Sequence, residues 1–145
     1  MLKLIGYWQQ EFKGPYDDEY DWPHPKYLTN EAWEKANRQQ IVQYLQNGVW
    51  VYEELGFSYC RFEPDLDNRL MGCKELTDGE WIWPEGLAHY IEKHSVILPD
   101  EFIETLKRNH FQIPEGLNPS DLEKEEVDLT FWDNWCKKNV KSEET

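Results

Sequence analysis

Residues 49–83 constrain the fold most, because β-forming residues cluster there in short runs separated by turn signals. Four runs are candidate strands, at 49–52, 57–62, 71–76 and 80–83. Asp78-Gly79 stands between the last two runs, and this pair favours a tight β-hairpin. The stretch therefore predicts an antiparallel meander, with a loop over residues 63–70 between its middle strands.

Helical patterns follow and precede this meander. Asn30 offers an N-cap to a helix over about 31–46, and Pro84 opens a short helix that ends near His94. Two more helices are predicted, one from Pro99 to Arg108 and one after Thr130. The apolar run at 2–8 indicates a first strand, the turn-rich stretch 13–28 a surface loop, and 112–128 a linker.

These elements predict one α+β domain over residues 1–138 and a flexible tail over 139–145. The expected sheet is small and antiparallel, formed by the meander and extended by the strand at 2–8, with helices packed on one face. Eight Trp and eight Tyr supply large buried areas to a core that is poor in aliphatic residues.

The chain is strongly acidic, with 29 Asp and Glu against 15 Lys and Arg and a formal net charge of −14. Such a field repels phosphate backbones and anionic membrane surfaces, and it attracts basic proteins. Three cysteines at irregular spacing make no disulfide framework, which favours a reducing compartment. We therefore expect a cytoplasmic protein that binds neither nucleic acid nor membranes directly.

Two cysteines and two histidines between residues 60 and 94 have the residue types of a zinc site. They are arranged as Cys60-x12-Cys73 and His89-x4-His94. Structural zinc sites usually separate their cysteines by about two to four residues, and twelve is loose. Five positions also rotate a helix by about 140°, so both rings reach one metal only if the last turn tightens. The sequence favours no cofactor, with zinc as the alternative.

The same region suggests a catalytic alternative, in which Cys73 or Asp78 acts with His89 as a nucleophile or general base. No recognised catalytic or phosphate-binding motif accompanies these residues, so the sequence favours a protein without enzymatic activity. Strand alternation places Trp81 and Trp83 on one face, and with Tyr90 they form either a stacking site for sugar or peptide, or part of the core. The core is favoured.

A longer segment runs from Cys60-Arg61-Phe62 through residues 71–94, with the string Leu-Thr-Asp-Gly through His-Tyr as its most specific part. This segment, together with residues 5–8 and 98–99, resembles a group of small uncharacterised bacterial proteins. The resemblance implies a bacterial cytosolic protein with a shared local structure. It implies no catalytic residue.

The functional expectation from sequence is electrostatic. A compact acidic domain can dock on a basic protein partner, as an inhibitor or immunity-type protein does. The alternatives are a small hydrolase-like enzyme, a zinc-stabilised domain centred on Cys60, Cys73, His89 and His94, and an aromatic sugar- or peptide-binding module.

Overall fold

The fold is taken from a computed structural model that describes residues 1–9, 21–53 and 58–141. The described residues form one sheet of five strands in the order β2-β3-β4-β1-β5. The strands are β1 (Leu2–Leu4), β2 (Val49–Glu53), β3 (Lys74–Thr77), β4 (Trp81–Pro84) and β5 (Val127–Asp128). Antiparallel pairing joins β2 to β3 and β3 to β4, with Gly79 at a φ of 95° in the connecting turn. The α+β class and the hairpin at Asp78-Gly79 are therefore confirmed.

The purely antiparallel sheet is wrong, because β1 lies between β4 and β5 and runs parallel to both. Parallel strands need a long crossover connection, and here the chain between β1 and β4, and between β1 and β5, provides it. β1 also ends at Leu4 rather than at residue 8, since Gly6 takes a φ of 82° and turns the backbone. β5 falls inside the predicted linker 112–128, and its two residues are too short for a periodic signal.

The predicted strand at 57–62 is wrong over residues 58–62, which form no strand, and residue 57 lies outside the described residues. The amide of Arg61 donates to the hydroxyl of Tyr90 at 3.0 Å, and the amide of Glu63 donates to the carbonyl of Cys60 at 3.3 Å. These groups make a turn and a side-chain contact, so they are not available to a strand ladder.

The helices are α1 (Arg38–Gln46), α2 (Leu87–His94), α3 (Asp100–Arg108), α4 (Pro119–Leu122) and α5 (Thr130–Asn139). The C-terminal end of α2 and both ends of α3 match the sequence prediction, and α4 was missed within the predicted linker. The predicted opening of α2 at Pro84 is wrong, because Pro84 pairs with Glu75 as the last residue of β4 and α2 begins at Leu87. α5 begins at Thr130, one residue before the predicted start. Within the parts of the chain that the structure describes, every helix is too short or too polar to span a membrane.

Helix α1 begins at Arg38, later than the predicted start at residue 31. Glu34 takes a φ of 45°, which interrupts a right-handed helix. The Arg38 guanidinium donates to the carbonyls of Asn30, Glu31 and Trp33, three groups that a longer helix would use in its own hydrogen bonds. The turn before α1 is therefore held by a side chain.

The predicted surface loop at 13–28 is corrected where it is described. Residues 13–20 lie outside the described residues, and Trp22 and Leu28 are buried in the core. A short 3-10 helix at Pro25–Leu28 carries Leu28 inward. The turn-forming residues indicated irregular backbone correctly, but they did not reveal its burial.

Helices α1, α3 and α5 pack on one face of the sheet, around the indoles of β4. The Trp83 Nε1 donates to the Leu45 carbonyl at 3.0 Å, and the Trp81 Nε1 donates to the Thr105 hydroxyl at 3.0 Å. Phe131 packs edge-on against Trp81 with ring centroids 5.2 Å apart. The two Trp residues therefore share a face, as strand alternation predicts.

Candidate metal centre

Helix α2 supplies two side chains of the candidate site, His89 and His94. Its apolar residues Leu87, Tyr90 and Ile91 are all buried, and they fix which way the helix faces. The two histidines are only partly exposed, at 18% and 17% of their side chains. The orientation of the helix is therefore set by packing and does not depend on the histidines.

The two imidazoles converge at the end of α2. Ser95 takes a φ of 54°, which ends the helix at His94. In a helix the Cα–Cβ bonds tilt toward the N-terminus, so the His94 side chain leans back over the preceding turn. The ring centroids of His89 and His94 lie 5.2 Å apart. The rings thus meet although they are five positions apart in the sequence.

Two more side chains come from residues 58–73, the segment between β2 and β3. The hydrogen bond from the Glu63 amide to the Cys60 carbonyl closes a tight turn that carries both side chains. Tyr90 of α2 holds this turn, because its hydroxyl accepts from the Arg61 amide at 3.0 Å and donates to the Tyr59 carbonyl at 3.2 Å. The helix that presents the histidines therefore also positions the turn.

Two further contacts pack residues 58–73 against α2. The Phe62 ring stacks on the His94 ring, with centroids 4.3 Å apart and planes inclined by 13°. Gly86 precedes α2, and a Cβ there would lie 2.8 Å from the Met71 carbonyl oxygen. Only glycine allows this close approach of the helix start to residues 58–73.

The four side chains bring one donor atom each into a small volume, and we call Cys60, Glu63, His89 and His94 the Cys-Glu-His-His cluster. All four atoms lie within 4.8 Å of one another. The His94 Nε2 is 2.8 Å from the Glu63 Oε1 and 3.7 Å from the Cys60 Sγ, and the His89 Nε2 is 3.4 Å from the Glu63 Oε1. A tetrahedral zinc site with bonds of about 2.0–2.3 Å separates its donor atoms by roughly 3.3–3.6 Å. The contacts of 3.4 and 3.7 Å are close to these separations, and the 2.8 Å contact between His94 and Glu63 is a hydrogen bond that a bound ion would replace.

Burial sets the protonation of two members of the cluster. It lowers the pKa of His89, and the neighbouring His94 lowers it further, while Glu63 opposes the shift. Burial also raises the pKa of the Cys60 thiol. The Nε2 of His89 is buried and its hydrogen bonding is unsatisfied among the described residues, with the Glu63 Oε1 3.4 Å away. A neutral imidazole nitrogen of this kind is what a metal ligand requires.

The structure brings together three of the four residues of the sequence-based zinc alternative and leaves out Cys73. The Cys73 thiol lies 3.5 Å from the Glu53 Oε1, and its amide donates to Glu85. Glu63 occupies the fourth place, and the sequence prediction missed it. The available signal was the spacing Cys60-x2-Glu63, which matches the two-residue spacing of zinc knuckles with a carboxylate in place of a second thiolate.

The described contacts do not bring the residues of the catalytic alternative together. Cys73, Asp78 and His89 each contact different partners. The Asp78 carboxylate accepts from the Tyr44 hydroxyl at 2.6 Å and from the Trp81 amide at 2.8 Å. Burial and the Glu53 carboxylate raise the pKa of the Cys73 thiol, which leaves little thiolate to act as a nucleophile.

The stacking alternative lacks an exposed ring. Trp81, Trp83 and Tyr90 are exposed by 1%, 0% and 2% of their surface. A sugar or peptide ligand needs an open ring face, and these rings instead pack against Phe102 and Phe62. All three are core residues.

Comparisons with protein-family models, with curated proteins and with solved structures return no match for this chain. The resemblance of residues 60–94 to small bacterial proteins stays an expectation from the sequence. The chemistry of the site therefore has to follow from its own donor atoms.

Proposed function

We propose that the protein binds one zinc ion through the Cys-Glu-His-His cluster. The observation that supports the proposal is the convergence of four donor atoms within 4.8 Å, from two segments that neighbouring side chains hold in place. The sequence-based preference for no metal rested on the long spacing between Cys60 and Cys73 and on the five positions between His89 and His94, whose rings nevertheless meet with centroids 5.2 Å apart. With Glu63 as the fourth ligand the objection from the cysteine spacing no longer applies, because Glu63 follows Cys60 after two residues.

The donor set favours zinc over other common ions. One thiolate, two imidazoles and one carboxylate are all ligand types that zinc uses in four-coordinate sites. Magnesium and calcium prefer shells made of oxygen alone, and copper(I) prefers sulfur donors. A mixed sulfur, nitrogen and oxygen set of tetrahedral size therefore suits zinc best.

The ion would join α2 to residues 58–73, a segment whose only regular element is a 3-10 turn at Asn68–Leu70. Because the ion binds the folded site and not the unfolded chain, its binding free energy adds to folding. The proposed function of the metal is thus to fix an irregular segment on a helix. The buried thiol would bind as the thiolate, so zinc uptake should release a proton.

Elemental analysis of protein purified without chelator tests the proposal. We expect one zinc per chain in the wild type, and we expect His94→Ala and Cys60→Ser to lose it. Cys73→Ser is the matched control, since the Cys73 thiol contacts Glu53 instead of the cluster. Circular dichroism of each variant establishes that the fold is retained.

Two results would count against the zinc site. One is wild-type protein that contains no zinc and binds none when titrated with the ion. The other is loss of zinc from Cys73→Ser with retention in Cys60→Ser, which would place the ligand set elsewhere.

A second candidate function, docking of a basic protein, is supported by the distribution of acidic side chains. Asp121, Glu123 and Glu126 are exposed, and within the described residues none of their carboxylates has an ion-pair partner. Unpaired charges of one sign raise the rate at which an oppositely charged partner associates. The proposed partner is a basic protein. By docking on it, this chain would cover the partner's basic surface, as an inhibitor or immunity-type protein does.

A pull-down from the native cells at increasing salt tests this second candidate. We expect a basic protein that is released as the Debye length falls from about 10 Å to about 3 Å. The double variant Glu123→Lys with Glu126→Lys should lose the partner, and Glu31→Lys with Glu104→Lys, which makes the same change in charge elsewhere, should retain it. A partner held equally at all salt concentrations would contradict the electrostatic mechanism.

A further inference from the structure

A groove of about 720 Å³ adjoins the Cys-Glu-His-His cluster, and both Glu63 and His89 line it. Ligand sites in proteins usually enclose about 300–1,000 Å³. The Glu63 side chain is 44% exposed, whereas Cys60 is exposed by 1%. A metal in the cluster would therefore be closed on its thiolate side and accessible on its carboxylate side.

The groove also holds two exposed apolar side chains. Four large apolar side chains are exposed among the described residues, and two of them, Trp50 at 50% and Leu70 at 65%, line the groove. The other two, Met1 and Val140, lie near the ends of the chain. Exposed apolar side chains gathered at one concave site indicate binding of an apolar group.

We propose that this groove brings an apolar organic carboxylate to the bound ion, where its carboxylate replaces Glu63 as the fourth ligand. The inference rests on the proposed zinc site and names the ligand class of that site. In the exchange, an oxygen–zinc bond to the incoming carboxylate forms and the bond to Glu63 breaks. No electron is transferred and no proton is needed.

Charge balance selects the class of the incoming group. A carboxylate that replaces a carboxylate leaves the net charge of the metal shell unchanged, whereas a neutral donor would leave a positive shell in a partly buried site. Lys74 and Lys93 line the groove together with Glu85 and Glu92. The Lys74 ammonium lies 4.6 Å from the centroid of the Trp50 ring, and the Lys93 ammonium lies 3.6 Å from Glu92. The carboxylate that is not on the metal would pair with one of these ammonium groups in exchange for that contact. The apolar body of the ligand would lie along Trp50 and Leu70.

Glu63 is the ligand that can leave. Cys60 is buried and would bind as a thiolate, and the histidines are fixed on a packed helix. Glu63 lies on an irregular turn and faces the groove. Exchange at this position alone would keep the other three ligands, which is the ligand number of most catalytic zinc sites.

Cobalt-substituted full-length protein provides the test, because cobalt(II) has visible bands that report its ligands and zinc(II) has none. The protein is titrated with 3-phenylpropionate at constant ionic strength, with acetate and 3-phenylpropionamide as comparison probes. We expect a saturable change in the bands with 3-phenylpropionate, binding of acetate that is weaker by about tenfold or more, and no change with the amide.

Three variants sharpen the test. Leu70→Ser should weaken the binding of 3-phenylpropionate toward that of acetate, and Val140→Ser, which also replaces an exposed aliphatic residue with Ser but outside the groove, should not. Glu63→Cys should bind cobalt with stronger thiolate bands and should no longer respond to 3-phenylpropionate. The thiolate would close the position that the carboxylate leaves open.

The outcomes separate the two proposals. Cobalt bound at one per chain with bands that ignore 3-phenylpropionate would overturn this inference and leave the metal site standing. Equal responses to acetate and 3-phenylpropionate would overturn it too, because the groove would then contribute nothing. Absence of cobalt binding would overturn the metal site and the carboxylate ligand together.

Discussion

Two polar clusters contain buried side chains in this protein, and they differ in how their hydrogen bonds are satisfied. The Asp78 carboxylate accepts from the Tyr44 hydroxyl and from the amides of Glu80 and Trp81, at 2.6–2.9 Å. In the Cys-Glu-His-His cluster the donor atoms face one another, and the hydrogen bonding of the buried Nε2 of His89 is unsatisfied among the described residues. The first cluster is complete within the chain, and the second would be completed by a cation.

Burial acts on both clusters, with opposite effects on their ionisable groups. It raises the pKa of Asp78, although the hydrogen bonds from Tyr44 and the two amides oppose the shift. It lowers the pKa of His89, together with the charge of His94. Burial alone therefore does not mark a ligand site. The mark is a set of metal-ligating atoms from separate side chains that converge on one point.

The largest expected effect is on the complete cluster. Asp78→Ala would leave the Tyr44 hydroxyl and two turn amides without their acceptor, and we expect the free energy of unfolding to fall by about 4 kcal/mol. Urea unfolding, with zinc and with chelator, measures it. The loss should be equal in both conditions. A loss that changes by more than about 1 kcal/mol on adding chelator would mean that the two clusters are coupled.

The next effect is on the incomplete cluster. Removing the metal from the wild type should lower the free energy of unfolding by about 2.7 kcal/mol, compared with protein at a free zinc concentration one hundred times the dissociation constant. Thermal unfolding with and without chelator measures the difference. His94→Ala should show no response to chelator, and Cys73→Ser should respond like the wild type.

A smaller effect is the pH dependence of the unfolding free energy that His89 causes in the metal-free protein. The folded pKa of His89 lies below its ordinary value of 6.5, so the unfolded chain binds more protons between the two values. The stability that depends on neutral His89 is present above 6.5 and is lost as the pH falls through the folded pKa. His89→Gln should flatten this part of the curve of unfolding free energy against pH, measured in urea with chelator. An unchanged curve would argue that His89 is not desolvated.

The smallest effect concerns the aromatic ring beside the cluster. Phe62→Leu removes the stacking of Phe62 on His94, and we expect zinc affinity to fall about fivefold, which corresponds to about 1 kcal/mol. Competition with a chelating dye measures the affinity. Phe131→Leu is the control, because the Phe131 ring packs against Trp81 and lies outside the cluster. Equal effects of the two changes would assign the loss to general packing.

The sequence predicted those parts of the fold that depend on near neighbours. Asp78-Gly79 determines its own hairpin, and the end of α2 at His94 and both ends of α3 follow from local signals. It missed the late start of α1, because the guanidinium of Arg38 takes carbonyls that helical spacing assigns to the backbone. It also missed the parallel pairing of β1, since no local pattern encodes partners as distant in the sequence as Trp81 and Val127.

The candidate site was predicted in part for the same reason. Cys60, His89 and His94 have residue types that are uncommon in this chain, which contains three Cys and four His, so they attract attention. Glu63 is one of 29 acidic residues, and only the fold distinguishes it from the others. Cys73 was included for its residue type and is excluded by its position beside Glu53.

The central place of β1 has a consequence for how the chain is made. β1 precedes the other described strands, yet it pairs with β4 at Trp81 and with β5 at Val127. Contacts so distant in sequence slow folding, because a long loop must close before they form. On the ribosome the β2-β3-β4 meander emerges well before β5, so the sheet has an unprotected edge at that stage. During that interval the nascent chain is open to strand exchange with another copy of itself.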